Sequence, residues 1–189
     1  MQTAPQLGIS EADYLAGESG ANDKHEFLDG QVRMMAGETK DHNRLSFQTR
    51  LALMRQMAGK QCSVYSDGLR VHIAAANRYY YPDVVVTCDE RDHSADAPKN
   101  YVNYPSVVVE VLSESTESID RGEKLNYYKM LPTLQAYMLV DQTQRRVELY
   151  RRGEGRLWLY ESFEAGESFA LPSLGVEIAL DELYAGTGV

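Results

Sequence analysis

Glu110 is the residue least at home in its surroundings. It lies inside Val107-Val108-Val109-Glu110-Val111-Leu112, an otherwise continuous apolar and mostly β-branched run. Such runs suit a central strand covered on both faces. A carboxylate buried there without a partner costs several kcal/mol or takes up a proton. A cation is the direct compensation, and a solvent-facing position on an edge strand is the alternative. Asp83 follows Pro82 and opens a second run of this kind, Val84-Val85-Val86. Taken alone, Pro-Asp before a strand reads as a turn. If the two strands are neighbours, an acid entering one and an acid inside the other converge on a hard cation. Mg²⁺ takes oxygen ligands, commonly one or two carboxylates completed by water and substrate phosphate.

Three further side chains could serve such a site. Lys124 follows Asp120 by four residues on a predicted helix, so both occupy one face. They form either an exposed pair worth ~0.3–0.5 kcal/mol or a lysine aimed at the metal cleft, holding a water or a scissile phosphate. His42 sits near the start of another predicted helix and flanks its apolar stripe, as a structural histidine or a pocket residue. Glu26, beside the Asp29-Gly30 turn, reads as a cross-strand charge. No Gly-rich phosphate loop, nucleophile elbow or H-E-x-x-H occurs. That argues against nucleoside triphosphatases, α/β-hydrolases and zincin peptidases.

The elements that must position these residues alternate in type. Ser10-Glu11-Ala12-Asp13 opens a short helix through about Ala16. Strands at His25–Leu28 and Gln31–Met35 flank Asp29-Gly30, a two-residue hairpin signal. From Asp41 to Ala58, Phe47, Leu51, Met54 and Ala58 form one helical stripe, expected to face the core. Short strands are expected at Cys62–Ser66 and Leu69–Ile73, then the two valine-rich strands with a polar loop, Asp89–Tyr104, between them. Ser118–Leu131 reads as a helix closed by Pro132. The tail alternates as strands at Gln135–Asp141, Arg145–Tyr150 and Leu157–Phe163. The order predicts one α/β (α+β) domain over residues 1–189, with helices flanking a central mixed sheet.

Composition narrows the setting. A net charge of −9 argues against tight, unspecific nucleic-acid binding, though it leaves room for a local basic cleft. The arginines at 145, 146, 151, 152 and 156 are read as a solvated hairpin. With only Cys62 and Cys88, no C-x-x-C, no basic and apolar leader pattern in MQTAPQLGISEADY and no long apolar run, the expectation is a reduced, cytoplasmic protein with no membrane partner. A disulfide between the two cysteines stays open.

The motifs in order carry a resemblance. The series His25-Glu26-Phe27-Leu28-Asp29-Gly30, His42, Tyr81-Pro82-Asp83-Val84-Val85-Val86, Pro105–Leu112 with Ser113, Asp120–Lys124 with Tyr128, and Ala136–Asp141 resembles the Uma-two family, bacterial proteins grouped with restriction endonucleases. The resemblance spans roughly Tyr14–Tyr150 and implies the restriction-endonuclease-like, PD-(D/E)XK fold. It implies that Asp83 stands for the motif aspartate and Glu110 for its second acid, both on Mg²⁺ or Mn²⁺, with the Val111 carbonyl as a further oxygen. The motif lysine belongs two residues after the glutamate, where this chain has Leu112. Lys124, from the following helix, is similar in place to the family's migrated lysine. Glu26 and His42 match recurrent family positions and would line the pocket. The leading expectation is a metal-dependent endonuclease acting on DNA, as a homodimer. A catalytically weak binding or assembly module is the rival reading, and a small-phosphoester hydrolase is a third.

Overall fold

The computed structural model describes residues 8–189 except Ala36 and Asp67. The first seven residues of the segment read as lacking a leader pattern lie outside the described ones. Helix α1 (Glu11–Glu18) is capped by the Ser10 side chain, which accepts the Asp13 N–H. Strands β1 (His25–Leu28) and β2 (Gln31–Met34) then form the expected hairpin. Asp29 at φ 50° and Gly30 at φ 90° supply the left-handed pair that a two-residue turn needs. Helix α2 (Lys40–Met57) leads through β3 (Ser63–Ser66), β4 (Arg70–Ile73) and β5 (Arg78–Tyr80) to β6 (Val84–Thr87). The segment expected to be a loop carries a short helix α3 (Glu90–His93) and strand β7 (Tyr101–Val102) before β8 (Pro105–Leu112).

A helical passage from Glu117 to Tyr128 follows, in three parts: α4 (Glu117–Ile119), a wider π-type turn over Asp120–Lys124, and α5 (Leu125–Tyr128). Strands β9 (Ala136–Asp141), β10 (Arg146–Arg152) and β11 (Trp158–Glu164) complete a mixed six-stranded sheet ordered β11-β10-β9-β8-β6-β3. Only β8 and β9 run parallel in it, because the helical passage returns the chain to its starting edge. A five-stranded sheet, β2-β1-β5-β4-β7, holds the N-terminal hairpin; the hairpin β12 (Ser168–Leu171) and β13 (Val176–Ala179) and a short α6 (Leu180–Leu183) close the chain. No helix among the described residues is long and apolar enough to cross a membrane.

The two valine-rich runs are adjacent and antiparallel, with Val84 opposite Val109 and Val85 opposite Val108. Both are buried, and their side chains alternate between two cores. Val84, Val86, Val107 and Val109 pack with Leu45, Leu53 and Met57 of α2, while Val85 and Val108 pack with Leu125, Tyr128 and Tyr137. Asp83 lies one residue before β6, and Glu110 follows Val109, the partner of Val84, so the two acids come from neighbouring points of the strand pair.

Two expectations are corrected. The buried face of α2 is Leu45, Ser46, Thr49, Ala52, Leu53 and Met57, not the stripe of Phe47, Leu51, Met54 and Ala58. Phe47 is 59% exposed and Met54 47%. Ser46, Thr49 and Ala52 are small enough for the helix to lie close on the sheet, which an apolar count alone does not register. The cysteines are also not free thiols: Cys62 and Cys88 form a disulfide between the neighbouring strands β3 and β6. Since disulfides persist mainly in oxidising settings, cysteine usage no longer argues for a reduced compartment. The bond closes a loop with a sequence separation of 26, for which chain entropy gives roughly 3–4 kcal/mol. Reductant should therefore lower the melting temperature of the wild type and leave that of a Cys62→Ala/Cys88→Ala variant where it is; equal responses would show that the bond does not form in solution.

The arginine-rich stretch forms the expected hairpin, β10 against β11, but several of its arginines are engaged rather than simply solvated. Arg145, Arg146 and Arg151 pair with Asp181, Glu164 and Glu161, and Arg152 donates to the carbonyls of Leu131 and Leu134.

Candidate active site

Strand β8, the β1–β2 hairpin, the start of α2 and the π-type turn surround a cleft of about 520 Å³. Glu26, Glu38, His42, Asp83, Glu110, Asp120 and Lys124 all line it. All five residues singled out from the sequence are thus brought to one place.

Lys124 lies at its centre. The reading of an exposed Asp120–Lys124 pair fails, because both residues are buried. The Lys124 ammonium stands 3.1 Å from Glu110 Oε1, 3.1 Å from Asp120 Oδ1 and 3.4 Å from Glu26 Oε1. Only the Glu110 contact has hydrogen-bond geometry; the other two oxygens face the charge without a directed bond. Burial by itself would lower the lysine pKa, but the Glu110, Glu26 and Asp120 carboxylates outweigh it and hold it well above its ordinary value. Burial pushes the Glu110 carboxyl well above the usual range, opposed by Lys124 and reinforced by Asp120, Asp83 and Glu26. The Tyr128 hydroxyl donates to the same Glu110 oxygen at 3.1 Å. Asp120, Lys124 and Tyr128 recur every four residues, and the π-type turn carries the first two toward the strand. Such turns occur frequently at functional sites.

Asp83 is held from the other side. Its Oδ2 accepts the Val111 N–H at 2.6 Å, so the carboxylate is fixed against the strand bearing Glu110. His42 Nε2 is 3.1 Å from the Val111 carbonyl and 3.4 Å from Asp83 Oδ2. Burial disfavours a charged imidazole, yet the Asp83 and Glu38 carboxylates keep the His42 pKa above its ordinary value. When Nε2 donates to Val111, Nδ1 presents a lone pair; it is buried and has no hydrogen-bond partner among the described residues. Glu38 Oε2 lies 3.7 Å from it. Ligand atoms of Glu38, His42 and Asp83 come within 4.8 Å of one another, close enough to share an ion.

The donor set fits a hard divalent cation: carboxylate oxygens with one imidazole nitrogen. The charge balance points the same way. Glu26, Asp83, Glu110 and Asp120 face Lys124 and Arg33, the latter 2.7 Å from Glu26 Oε2, so carboxyl groups outnumber the lysine and arginine cations in the cleft. Here the geometry departs from the sequence reading. Glu110 Oε1 is engaged by Lys124 and Tyr128, and the Val111 carbonyl faces His42.

Sequence reasoning missed Glu38, Arg33 and Tyr128 as parts of the site. A signal existed for two of them: Glu38 precedes His42 by four residues, and Tyr128 follows Lys124 by four. Arg33 becomes visible only through the hairpin register, which sets it opposite Glu26.

Comparison with known proteins agrees with this architecture. The family model Uma2, described as "Putative restriction endonuclease", matches residues 11–181. An uncharacterized protein of Synechocystis, slr1290, is 36% identical over 184 residues, covering 97% of this chain and 95% of its own length. A second Synechocystis protein, sll1609, also uncharacterized, is 36% identical over 151 residues, covering 80% of this chain and 85% of its own length. Among solved structures, one described as a putative nuclease belonging to DUF820, from Anabaena variabilis, superimposes with a TM-score of 0.77. That likeness covers 94% of this chain and 98% of the other at 15% identity, which speaks to the fold. The fold is restriction-endonuclease-like.

Proposed function

This chain belongs to the Uma2 family, and we propose that its acidic cleft is the active site of a Mg²⁺- or Mn²⁺-dependent deoxyribonuclease. The observation that carries the reading is the convergence of Glu26, Glu110 and Asp120 on a single buried Lys124, with Asp83 beside them. A merely structural ion pair needs one acid per base. The acid surplus is costly in a low-dielectric interior and is compensated by a bound divalent cation.

In this reading Asp83 and Glu110 hold the metal, with His42 Nδ1 and Glu38 as further donors. When bound, the metal supplies Lewis acidity toward a phosphoryl oxygen and a lowered pKa for its water. Lys124 places a fixed ammonium where negative charge grows on the phosphate as the phosphodiester breaks. Glu26 and Asp120 keep that ammonium charged and centred. Tyr128 holds one Glu110 oxygen, leaving the other for the cleft. The Val111 N–H fixes the Asp83 carboxylate, so the two acids share one rigid strand pair. Such pre-organisation is what hydrolysis of an unstrained phosphodiester asks of its protein.

A binding or assembly role is the second reading, favoured by the full engagement of Lys124 with carboxylates. Incubating supercoiled plasmid with purified protein and Mg²⁺ or Mn²⁺ separates the two: nicking or linearisation is expected, and chelator abolishes it. Metal binding has its own measurement. Divalent cation at about a hundred times its Kd should add ~2.7 kcal/mol of stability by mass action, read as a rise in melting temperature. Asp83→Asn should shrink that rise. A melting temperature flat across a wide titration would remove the metal from the proposal.

A further inference from the structure

The apolar stripe of α2, expected in the core and found at the surface, has a consequence for the substrate. At 100° per residue, Lys40, Asn43, Arg44, Phe47, Leu51, Met54, Arg55 and Ala58 occupy one face of the helix. All are exposed except Leu51, which is half-buried. No acidic residue falls on this face. The whole helix carries Lys40, Arg44, Arg50 and Arg55 against Asp41 alone, in a chain whose net charge is −9. Neither Lys40 nor Arg44 is in an ion pair among the described residues; Arg44 donates to the Gly186 carbonyl, which leaves its charge uncompensated. A shallow groove runs over the first turns of this face, lined by Glu38, Thr39, Lys40, Asn43, Arg44 and Phe47. It shares Glu38 and Thr39 with the active-site cleft, so the two are continuous.

We propose that this face of α2 is a track for one nucleic-acid strand in single-stranded form, delivering a phosphate to the cleft. The proposal rests on the nuclease reading and names its substrate class. Lys40 and Arg44 meet backbone phosphates, while the Asn43 amide donates to Glu38 at the groove's edge. Phe47, an exposed ring about 10 Å along the axis from Lys40 at 1.5 Å per residue, gives an unpaired base a surface to stack on. Cationic grooves interleaved with aromatic rings are how proteins hold single strands without reading sequence. A base within a duplex is stacked on its neighbours and cannot reach Phe47 without being unpaired, so the ring favours the single strand. The negative walls of the cleft work in the same direction, since a duplex would bring a second line of phosphates against them.

The test is fluorescence anisotropy without divalent metal, using a labelled single-stranded DNA oligonucleotide and the same oligonucleotide annealed to its complement. The single strand should bind more tightly. Phe47→Ala should weaken it roughly ten-fold, the low-to-middle range for loss of one stacked base, and Phe47→Trp should restore it. Lys40→Ala and Arg44→Ala should each reduce the slope of log affinity against log salt by about 0.7. Met130→Ala, an exposed apolar side chain away from this face, should change nothing. Plasmid and single-strand cleavage with Mn²⁺ are measured alongside. Single-strand affinity indifferent to Phe47→Ala overturns the track, whether or not DNA is cut. So does tighter binding of the duplex. Phe47-dependent binding without any cleavage by the wild type leaves the track and removes the nuclease. A change in sedimentation coefficient on Phe47→Ala with affinity intact assigns the face to a second copy of the chain, and the track falls.

Discussion

Lys124→Ala will lower the unfolding free energy of the metal-free protein by about 3–5 kcal/mol, the usual result of removing one partner from a buried ion pair. The size follows from the surroundings. Lys124 is the common partner of Glu26, Glu110 and Asp120, all buried, and alanine leaves those charges to repel one another or to take up protons. Were it only half of an exposed helical pair with Asp120, the same substitution would cost a few tenths of a kcal/mol. Urea unfolding decides between these by an order of magnitude. A second effect separates chemistry from folding. At temperatures where the variant remains folded, DNA cleavage should fall ~10²–10³-fold, the typical cost of a lost charge-stabilising donor. Lys124→Arg should rescue stability better than activity, because a planar fork does not replace a compact ammonium. Undiminished cleavage by folded Lys124→Ala would assign the lysine to structure alone.

Glu110→Gln should separate the two quantities in the opposite sense. The amide oxygen can still accept from Lys124 and Tyr128, while Lys124 keeps Glu26 and Asp120 as counter-charges. Removing a carboxylate whose ionised form is disfavoured by burial and by Asp120, Asp83 and Glu26 should leave the metal-free protein as stable as wild type or more so. The metal-induced rise in melting temperature should vanish, and cleavage should drop ~10³-fold or more, as a hard cation loses an anionic ligand. Sites that hold function at the expense of stability behave this way. A Glu110→Gln protein that is clearly less stable, yet still stabilised by Mn²⁺, would show that Glu110 serves the core and that Glu38, His42 and Asp83 hold any ion by themselves.

Much of the candidate cleft was legible in the chain because its misfits are local. An acid inside Val107–Leu112 and an acid opening Val84–Val86 violate the pattern of buried strands wherever those strands lie. The β1–β2 hairpin was equally legible, since Asp29-Gly30 states its own turn geometry. Other features leave no local trace. By spacing alone Lys124 read either as half of an exposed pair or as a lysine aimed at the cleft, because i,i+4 spacing is the same at the surface and in the core. The stripe of α2 was placed on the wrong side because Leu45, Leu53 and Met57 compete with Phe47, Leu51 and Met54 for the apolar face. Ser46, Thr49 and Ala52 decide the contest by allowing close approach to the sheet, a matter of volume between elements.

What the sequence determined by itself, then, was the principal strands and helices and which residues are chemically conspicuous; β5, α3, β7 and the closing β12–β13 hairpin with α6 came only with the structure. Periodicity, turn chemistry and the cost of a buried charge act over a few residues and survive without knowledge of the partner. The tertiary structure alone decided the partners. The antiparallel pairing of β6 with β8 leaves Asp83 bonded to the Val111 N–H, next to Glu110, the π-type turn brings Asp120 and Lys124 inward, and the register of β3 and β6 joins Cys62 to Cys88. Each contact links residues whose separation along the chain is bridged only by packing, and electrostatic energy depends on distance and local dielectric rather than on sequence spacing. That is why the same lysine reads two ways in the chain and one way in the fold.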